Sequence, residues 1–227
     1  MKSSQKILIV FFSIIALFHL SLLFEVDKPD FYETHSAKEF RPKPFSHLMI
    51  NDDAVLMIEK DTTQNQLKYH YLKNTQPDTS FFFVRNDTLF VKNPHLKGKS
   101  KAITLKYKKL NSITANNSHI NLLNNPDKNT VIKSRAGEIR IRKKDSLQNL
   151  NISLSQESRL KVEAKYLKTA NIDMTNSSAH FNTSIENLNA DIRKNSNLSV
   201  KNVIHSNIRN DGSSYFSNKQ GHFKAKD

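Results

Sequence analysis

The chain has no cysteine and no tryptophan, and only 4 glycines in 227 residues. Without thiols there is no disulfide framework, no Cys-ligated metal and no point for lipid attachment through a cysteine. The compartment stays open, because many secreted proteins do without disulfides. No GxSxG elbow, Walker loop or dinucleotide fingerprint occurs. The 9 histidines show no HExxH or other ligand spacing, and no metal or small-molecule cofactor is expected. Acidic residues are few as well: 21 Asp and Glu stand against 35 Lys and Arg, a formal net charge of +14.

What the chain does have is a repeat. Sixteen-residue blocks begin at Tyr107, Leu147, Leu167, Ile185 and Val203, spaced by 40, 20, 18 and 18 residues. The first position is bulky and apolar, the fifth is Asn (Asn111, Asn151, Asn171, Asn189, Asn207) and the twelfth is Ser (Ser118, Ser158, Ser178, Ser196, Ser214). A degenerate sixth copy is expected in the first gap, with Val131, Ile139 and Ile141 at positions six, fourteen and sixteen and Gly137 in place of the Ser.

Apolar residues recur at positions four, six and eight, then at fourteen and sixteen. That period of two belongs to strands with one buried face, not to a helix. A unit this short cannot bury its own apolar face, so the copies must stack. Two short strands per repeat joined by Asn/Ser corners describe one coil of a parallel β-helix, with coils of about 18–20 residues whose equivalent positions stack ~4.8 Å apart. The Asn column then reads either as a side-chain amide ladder or as a set of turn corners in the left-handed region. Both readings are structural, as is that of the Ser column.

Residues 7–24 (ILIVFFSIIALFHLSLLF) carry no formal charge and follow Lys2 and Lys6. As a helix they would extend ~27 Å, enough for a hydrocarbon core. No small-x-small cleavage site follows, which favours an uncleaved signal-anchor over a cleaved signal. The positive-inside rule keeps residues 1–6 cytoplasmic and exports the rest. The expected location is the cytoplasmic (inner) membrane, single-pass, with most of the chain extracytoplasmic; secretion after cleavage is the alternative. Residues 25–44, with Pro29, Pro42 and Pro44, read as a tether. Residues 45–100 read as short strands forming an N-terminal β region that covers the first coil, with Asn86-Asp87 as a tight hairpin turn. Coils occupy 101–218, and 219–227 is a basic tail.

The phrase NDTLFV (Asn86–Val91), followed by L-x-x-I…S-x-I-x-L coils as in Leu110–Leu122, resembles the putative auto-transporter adhesin head GIN domain family, found mainly in envelope proteins of Bacteroidetes-type bacteria. The resemblance covers roughly 45–218. It implies a right-handed single-stranded β-helix outside the cytoplasmic membrane and supplies no catalytic residues. Members carry Gly beside the corner Ser, whereas this chain has it only at Gly137 and Gly212.

Position seven brings Asp173 and Asp191 together with Arg209 one coil on. Glycan-active β-helix enzymes need clustered carboxylates, but a solvated ion-paired face is the commoner outcome, so a non-catalytic role is expected. Two basic runs stand out: Lys97, Lys99, Lys101, Lys106, Lys108 and Lys109, then Lys133, Arg135, Arg140, Arg142, Lys143 and Lys144. They read either as a solvated face whose lysines blunt strand edges or as a surface for anionic lipid headgroups, an acidic glycan or an envelope protein. An anionic-ligand face would centre on Lys97, Lys99, Lys106, Lys108, Arg140, Arg142, Lys143 and Lys144. Export topology and the lack of a stacking-aromatic motif argue against nucleic acid. The sequence therefore points to a membrane-anchored, adhesin-like binding module, with a purely structural envelope protein as the alternative and a glycan-active enzyme as a distant third.

Overall fold

The computed structural model describes residues 35–72, 80–93, 103–123, 130–143 and 146–219. Two compact units divide the chain, 1–36 with 72–75 and 37–71 with 76–227. The first lies almost wholly outside the described residues, and the second holds nearly all of the described strands. The expected span at 7–24 and the end of the basic tail also lie outside. No helix among the described residues is long and apolar enough to cross a membrane.

The described chain is all β. Its strands are β1 (His35–Phe40), β2 (His47–Ile50), β3 (Val55–Lys60), β4 (Gln66–Leu72), β5 (Phe82–Arg85), β6 (Thr88–Val91), β7 (Ile103–Tyr107), β8 (Ser112–Asn116), β9 (His119–Leu122), β10 (Val131–Arg135), β11 (Glu138–Arg142), β12 (Ser146–Ser155), β13 (Arg159–Thr175), β14 (Ser178–Arg193), β15 (Asn197–Asn210) and β16 (Tyr215–Asn218). Parallel pairing stacks them into a β-solenoid. Wall A runs β6, β2, β8, β10, then the second halves of β12, β13, β14 and β15. Wall B runs β7, β3, β9, β11, then the first halves of β13, β14 and β15, then β16. The later coils add wall C, in which Leu147, Leu167, Ile185 and Val203 stack in register.

The alternation in the sequence is the burial pattern. In β8, β10 and the second half of β12 every second residue points inward, which produces columns such as Ile113–Ile132–Ile152–Ile172–Ala190 on wall A. Wall B contributes Leu122–Ile141–Val162–Phe181–Val200, all buried. Each such side chain contributes roughly 1.5–3 kcal/mol of transfer free energy, and the columns merge into one core along the stack.

Chain order and stacking order differ at the N-terminal end. The coil of β2 and β3 is made first, yet it lies between the later coil of β6 and β7 and the still later coil of β8 and β9. Tyr107 therefore ends β7 opposite Lys60 on wall B, rather than sharing the column of Leu147 as the repeat predicts. Beyond β6 and β7 the direction reverses: β5 pairs antiparallel with β6, and β4 antiparallel with β7. The Asn86-Asp87 turn closes the first of these hairpins with both φ values positive, 48° and 58°, the tight-turn geometry predicted for it. Part of the stretch read as a tether is strand β1, whose Glu39 accepts a hydrogen bond from Gln66 Nε2 at 2.8 Å on neighbouring β4.

The corner between walls A and B takes two lengths. Two residues suffice at 117–118, 136–137 and 176–177, and the first of each has positive φ (Asn117 45°, Ala136 52°, Asn176 47°). Three are used at 52–54, 156–158 and 194–196, where the first two have positive φ. The last corner residue is a buried Ser in several coils, and its hydroxyl donates back to a nearby carbonyl: Ser118 to Asn116 O at 2.6 Å, Ser158 to Ser155 O at 2.6 Å and Ser196 to Arg193 O at 2.5 Å. At Gly137 a Cβ would lie 2.6 Å from Ser118 O, so this coil omits the side chain.

These two lengths correct the predicted columns at three points. Ser177, not Ser178, joins Ser158 and Ser196, since Ser178 already pairs with Arg159. Val131 sits opposite Asn151, which makes Ile132 the inward residue predicted for Val131. Asn111 falls one place before the Asn column, where Ser112 stands, and its backbone bridges Ser46 O and Val131 N.

Candidate functional site

The outward side chains of wall A form two columns that run side by side along the solenoid. One reads His47, Ser112, Val131, Asn151, Asn171, Asn189, Asn207. The other, two residues on in each strand, reads Met49, Thr114, Lys133, Ser153, Asp173, Asp191, Arg209. Between Val131 and Arg209 they line an open groove of about 480 Å³, within the range of small-molecule and oligomer sites.

The amides of the first column are locked to one another. Asn171 Nδ2 donates to Asn151 Oδ1 at 2.8 Å, and Asn189 Nδ2 donates to Asn171 Oδ1 at 2.9 Å. None of these residues has positive φ; that conformation belongs to the corners. Of the two readings of this column, the ladder is therefore the one the geometry adopts. Each ladder bond uses one N–H of one amide and one oxygen lone pair of its neighbour, and it leaves Asn171 with a second N–H and further acceptor capacity.

The second column is held by Arg193, one alternation beyond Asp191 on β14. Its Nη2 donates to Asp173 Oδ1 at 2.6 Å, and its Nε lies 3.4 Å from Asp191 Oδ1. Asp191 Oδ1 is screened from solvent and makes this ion pair without a hydrogen bond. Arg209 Nη1 approaches Asp191 Oδ2 at 3.8 Å. The hydrogen bond and charge of Asp173, with Asp191 beside it, hold the Arg193 guanidinium above its ordinary value. The predicted Asp173–Asp191–Arg209 stack thus exists, and a residue not singled out in the sequence compensates it. Its signal was available, because Asp191 and Arg193 are two apart on one strand and so share a face. No group of three or more metal-ligating side chains occurs among the described residues.

Lys106, Arg140 and Arg142 all stand on the outward side of wall B, spread along it rather than side by side. Lys106 lies on β7 beside Glu59, and the Lys108 backbone N–H bonds Asn65 Oδ1 at 2.9 Å. Arg140 and Arg142 lie on β11, on the far side of both β3 and β9 from β7, ~14 Å away in the stack. Each has a carboxylate partner: Arg140 Nε meets Glu138 Oε1 at 2.6 Å, and Arg142 Nε lies 3.5 Å from Glu163 Oε2. Lys161, one coil on, shares Glu163 at 2.5 Å, and this bond holds the Glu163 carboxyl below its ordinary value. Lys143 Nζ donates to Ser146 O at 2.9 Å. Lys97, Lys99 and Lys144 lie outside the described residues. Adjacent in sequence, the first basic run and the coils that follow are parted by the inserted β2–β3 coil.

No family model matches the chain, and no curated protein matches it. Solved structures do. One, described as a "putative adhesin" from Bacteroides fragilis, superposes with a TM-score of 0.59 at 18% identity, over 82% of this chain and 97% of that one. Another so described, from Parabacteroides merdae, gives 0.47 at 12% identity, over 81% and 95%. A "putative lipid binding protein" from Parabacteroides distasonis gives 0.43 at 14% identity, over 81% and 96%. At such identities what the chain shares with the Bacteroides fragilis protein is its fold, along nearly the whole length of that protein.

Proposed function

We propose that the chain is a non-catalytic binding module held outside the cytoplasmic membrane by a signal-anchor at 7–24. In this reading the solenoid is right-handed, as expected of its resemblance to the adhesin head family, and β4 and β5 cap its outermost coil, that of β6 and β7. The antiparallel pairing of both strands and the aromatic cluster of Tyr69, Phe81 and Phe82, with ring centroids 4.9 and 5.1 Å apart, support the cap.

The observation that carries the binding role is the wall A groove. It is lined by side chains in fixed register on paired strands, and its two carboxylates, Asp173 and Asp191, are compensated by Arg193 and Arg209. Pre-ordered side chains lower the entropic cost of association. The same compensation argues against catalysis, since Asp173 and Asp191 share Arg193 rather than being poised as an acid and base pair.

The test is retention of envelope glycans, anionic vesicles and envelope proteins on the full chain, scanned over ionic strength, with protease accessibility of the chain in intact cells. Binding that survives Arg140→Glu with Arg142→Glu places recognition on the groove. Binding that falls steeply with salt and is lost in that variant places it on the basic residues of wall B instead. No binding to any of the three would leave a structural envelope protein and overturn the reading.

A further inference from the structure

We infer that the wall A groove accepts an uncharged, polyhydroxylated chain, a neutral oligosaccharide lying along the solenoid axis; the inference rests on the binding-module reading. Three observations carry it.

The first is charge. The groove presents Asp173 and Asp191, and the guanidinium groups of Arg193 and Arg209 reach those same carboxylates. An anionic ligand would face two carboxylates, and a cationic one would have to displace two arginines. Hydroxyl groups can accept from the guanidinium N–H groups and donate to the carboxylate oxygens without disturbing either pair.

The second is spacing. Asn151, Asn171 and Asn189 repeat at the rung distance of ~4.8 Å, with their amides oriented by the ladder bonds. Each spare donor or acceptor therefore recurs at a period close to that of one sugar ring in an extended chain. From β10 to β15 the groove spans ~19 Å, room for a short oligomer rather than a single ring.

The third is an aromatic platform in line with the groove. The Asp173 column continues past Lys133, Thr114 and Met49 to Phe90 and then Phe83. Those two rings stack at 4.8 Å with planes 11° apart, and Phe83 is 45% exposed. Stacked on Phe90, the exposed Phe83 ring presents a flat aromatic face to solvent. The apolar face of a sugar ring is a suitable cover, with the ring C–H groups over the negative aromatic face.

The experiment is an affinity measurement on the full chain in detergent micelles, against neutral hexose di- to hexasaccharides and their uronic-acid counterparts of equal length. The expected result is preference for the neutral series with little dependence on salt. A tenfold or greater loss is expected in Asn171→Ala with Asn189→Ala. Ser153→Tyr, which fills the groove from outside without touching the ladder, should show the same loss and so covers failure of the first variant to fold. Phe83→Ala should weaken the longer oligomers only. Binding confined to the acidic series, or neutral binding indifferent to both groove variants, overturns the inference while leaving a binding module. Failure to bind any glycan while envelope protein or vesicles are retained overturns it in the same way, and failure to bind anything overturns both readings.

Discussion

Asp211 organises the last corner. Its Oδ2 accepts the Lys194 backbone N–H at 2.7 Å, and its Oδ1 accepts from Ser213 N at 3.0 Å, Ser213 Oγ at 2.8 Å and Ser214 Oγ at 3.2 Å. These bonds, led by that from Lys194, hold its carboxyl down at about 2 against an ordinary 3.8. A depressed folded-state pKa contributes stability that is complete above the unfolded value and disappears as pH falls through the folded one. The corner should therefore loosen between pH 3.8 and about 2, and the protection of the Ser213 amide, relative to its intrinsic exchange rate, should fall over that window. Asp211→Asn should flatten the response; an unchanged profile would sink this account. Ser134 presents the opposite case. Its side chain takes a place on the Ala115–Leu154 core column, and its hydroxyl is buried with no hydrogen-bond partner. A desolvated hydroxyl left unpaired costs ~1–3 kcal/mol, so Ser134→Ala should raise stability by about 1 kcal/mol in a denaturant titration.

At the level of the element, strand and corner obey different rules. A strand tolerates no change of length, because removing one residue reverses which side chains face the core. A corner does tolerate it, since 156–158 and 176–177 make the same turn with three residues and with two. Deleting Gln156 while changing Glu157→Asn recreates the Asn-Ser corner of 176–177 and should leave the far-ultraviolet circular dichroism intact with a small shift in Tm. Deleting Ile172 should abolish cooperative unfolding, and equal outcomes would refute the distinction. The same freedom explains what the sequence revealed and what it hid. Alternation located most of the buried columns from Leu147 to Val200, but after the 176–177 corner the inward pair is Ala179 and Phe181 rather than His180 and Asn182, one place short of the block register. It misplaced Asn111, Val131 and Ser178 by one, because a corner of either length is built from the same polar residues. The ladder of Asn151, Asn171 and Asn189 was legible in the repeat, whereas Arg193, whose spacing from Asp191 was equally available, escaped a comparison made one column at a time. The position of the β6–β7 coil was illegible for a different reason: β2, β3, β6 and β7 share one alternation, and nothing local states which of them stacks outermost.

For the molecule as a whole, stability is a chain of neighbour contacts rather than a single centre. Phe181 is fully buried on wall B between Val162 and Val200. Phe181→Ala should cost ~3–5 kcal/mol locally. In a solenoid such a loss acts first on the coils that depend on that interface. Hydrogen exchange should then show residues 197–218 losing protection before 112–142. A uniform loss along the whole stack would mean that the solenoid unfolds as one unit and would refute nearest-neighbour coupling here.

The coil displaced from chain order bears on how the protein is made. Domains generally fold from the N-terminus as they are synthesised, and an ordinary solenoid could add each turn as it emerges. Here β2 and β3 come off the ribosome first but must hold both edges open until 88–107 have closed one side and 112–122 the other. The first-made turn is thus the one that cannot finish early, and the nascent chain stays unlocked until about half of it exists. Such a delay keeps the N-terminal half pliable during synthesis, and it makes the interval before residue 122 emerges the period in which exposed strand edges are most open to misassembly.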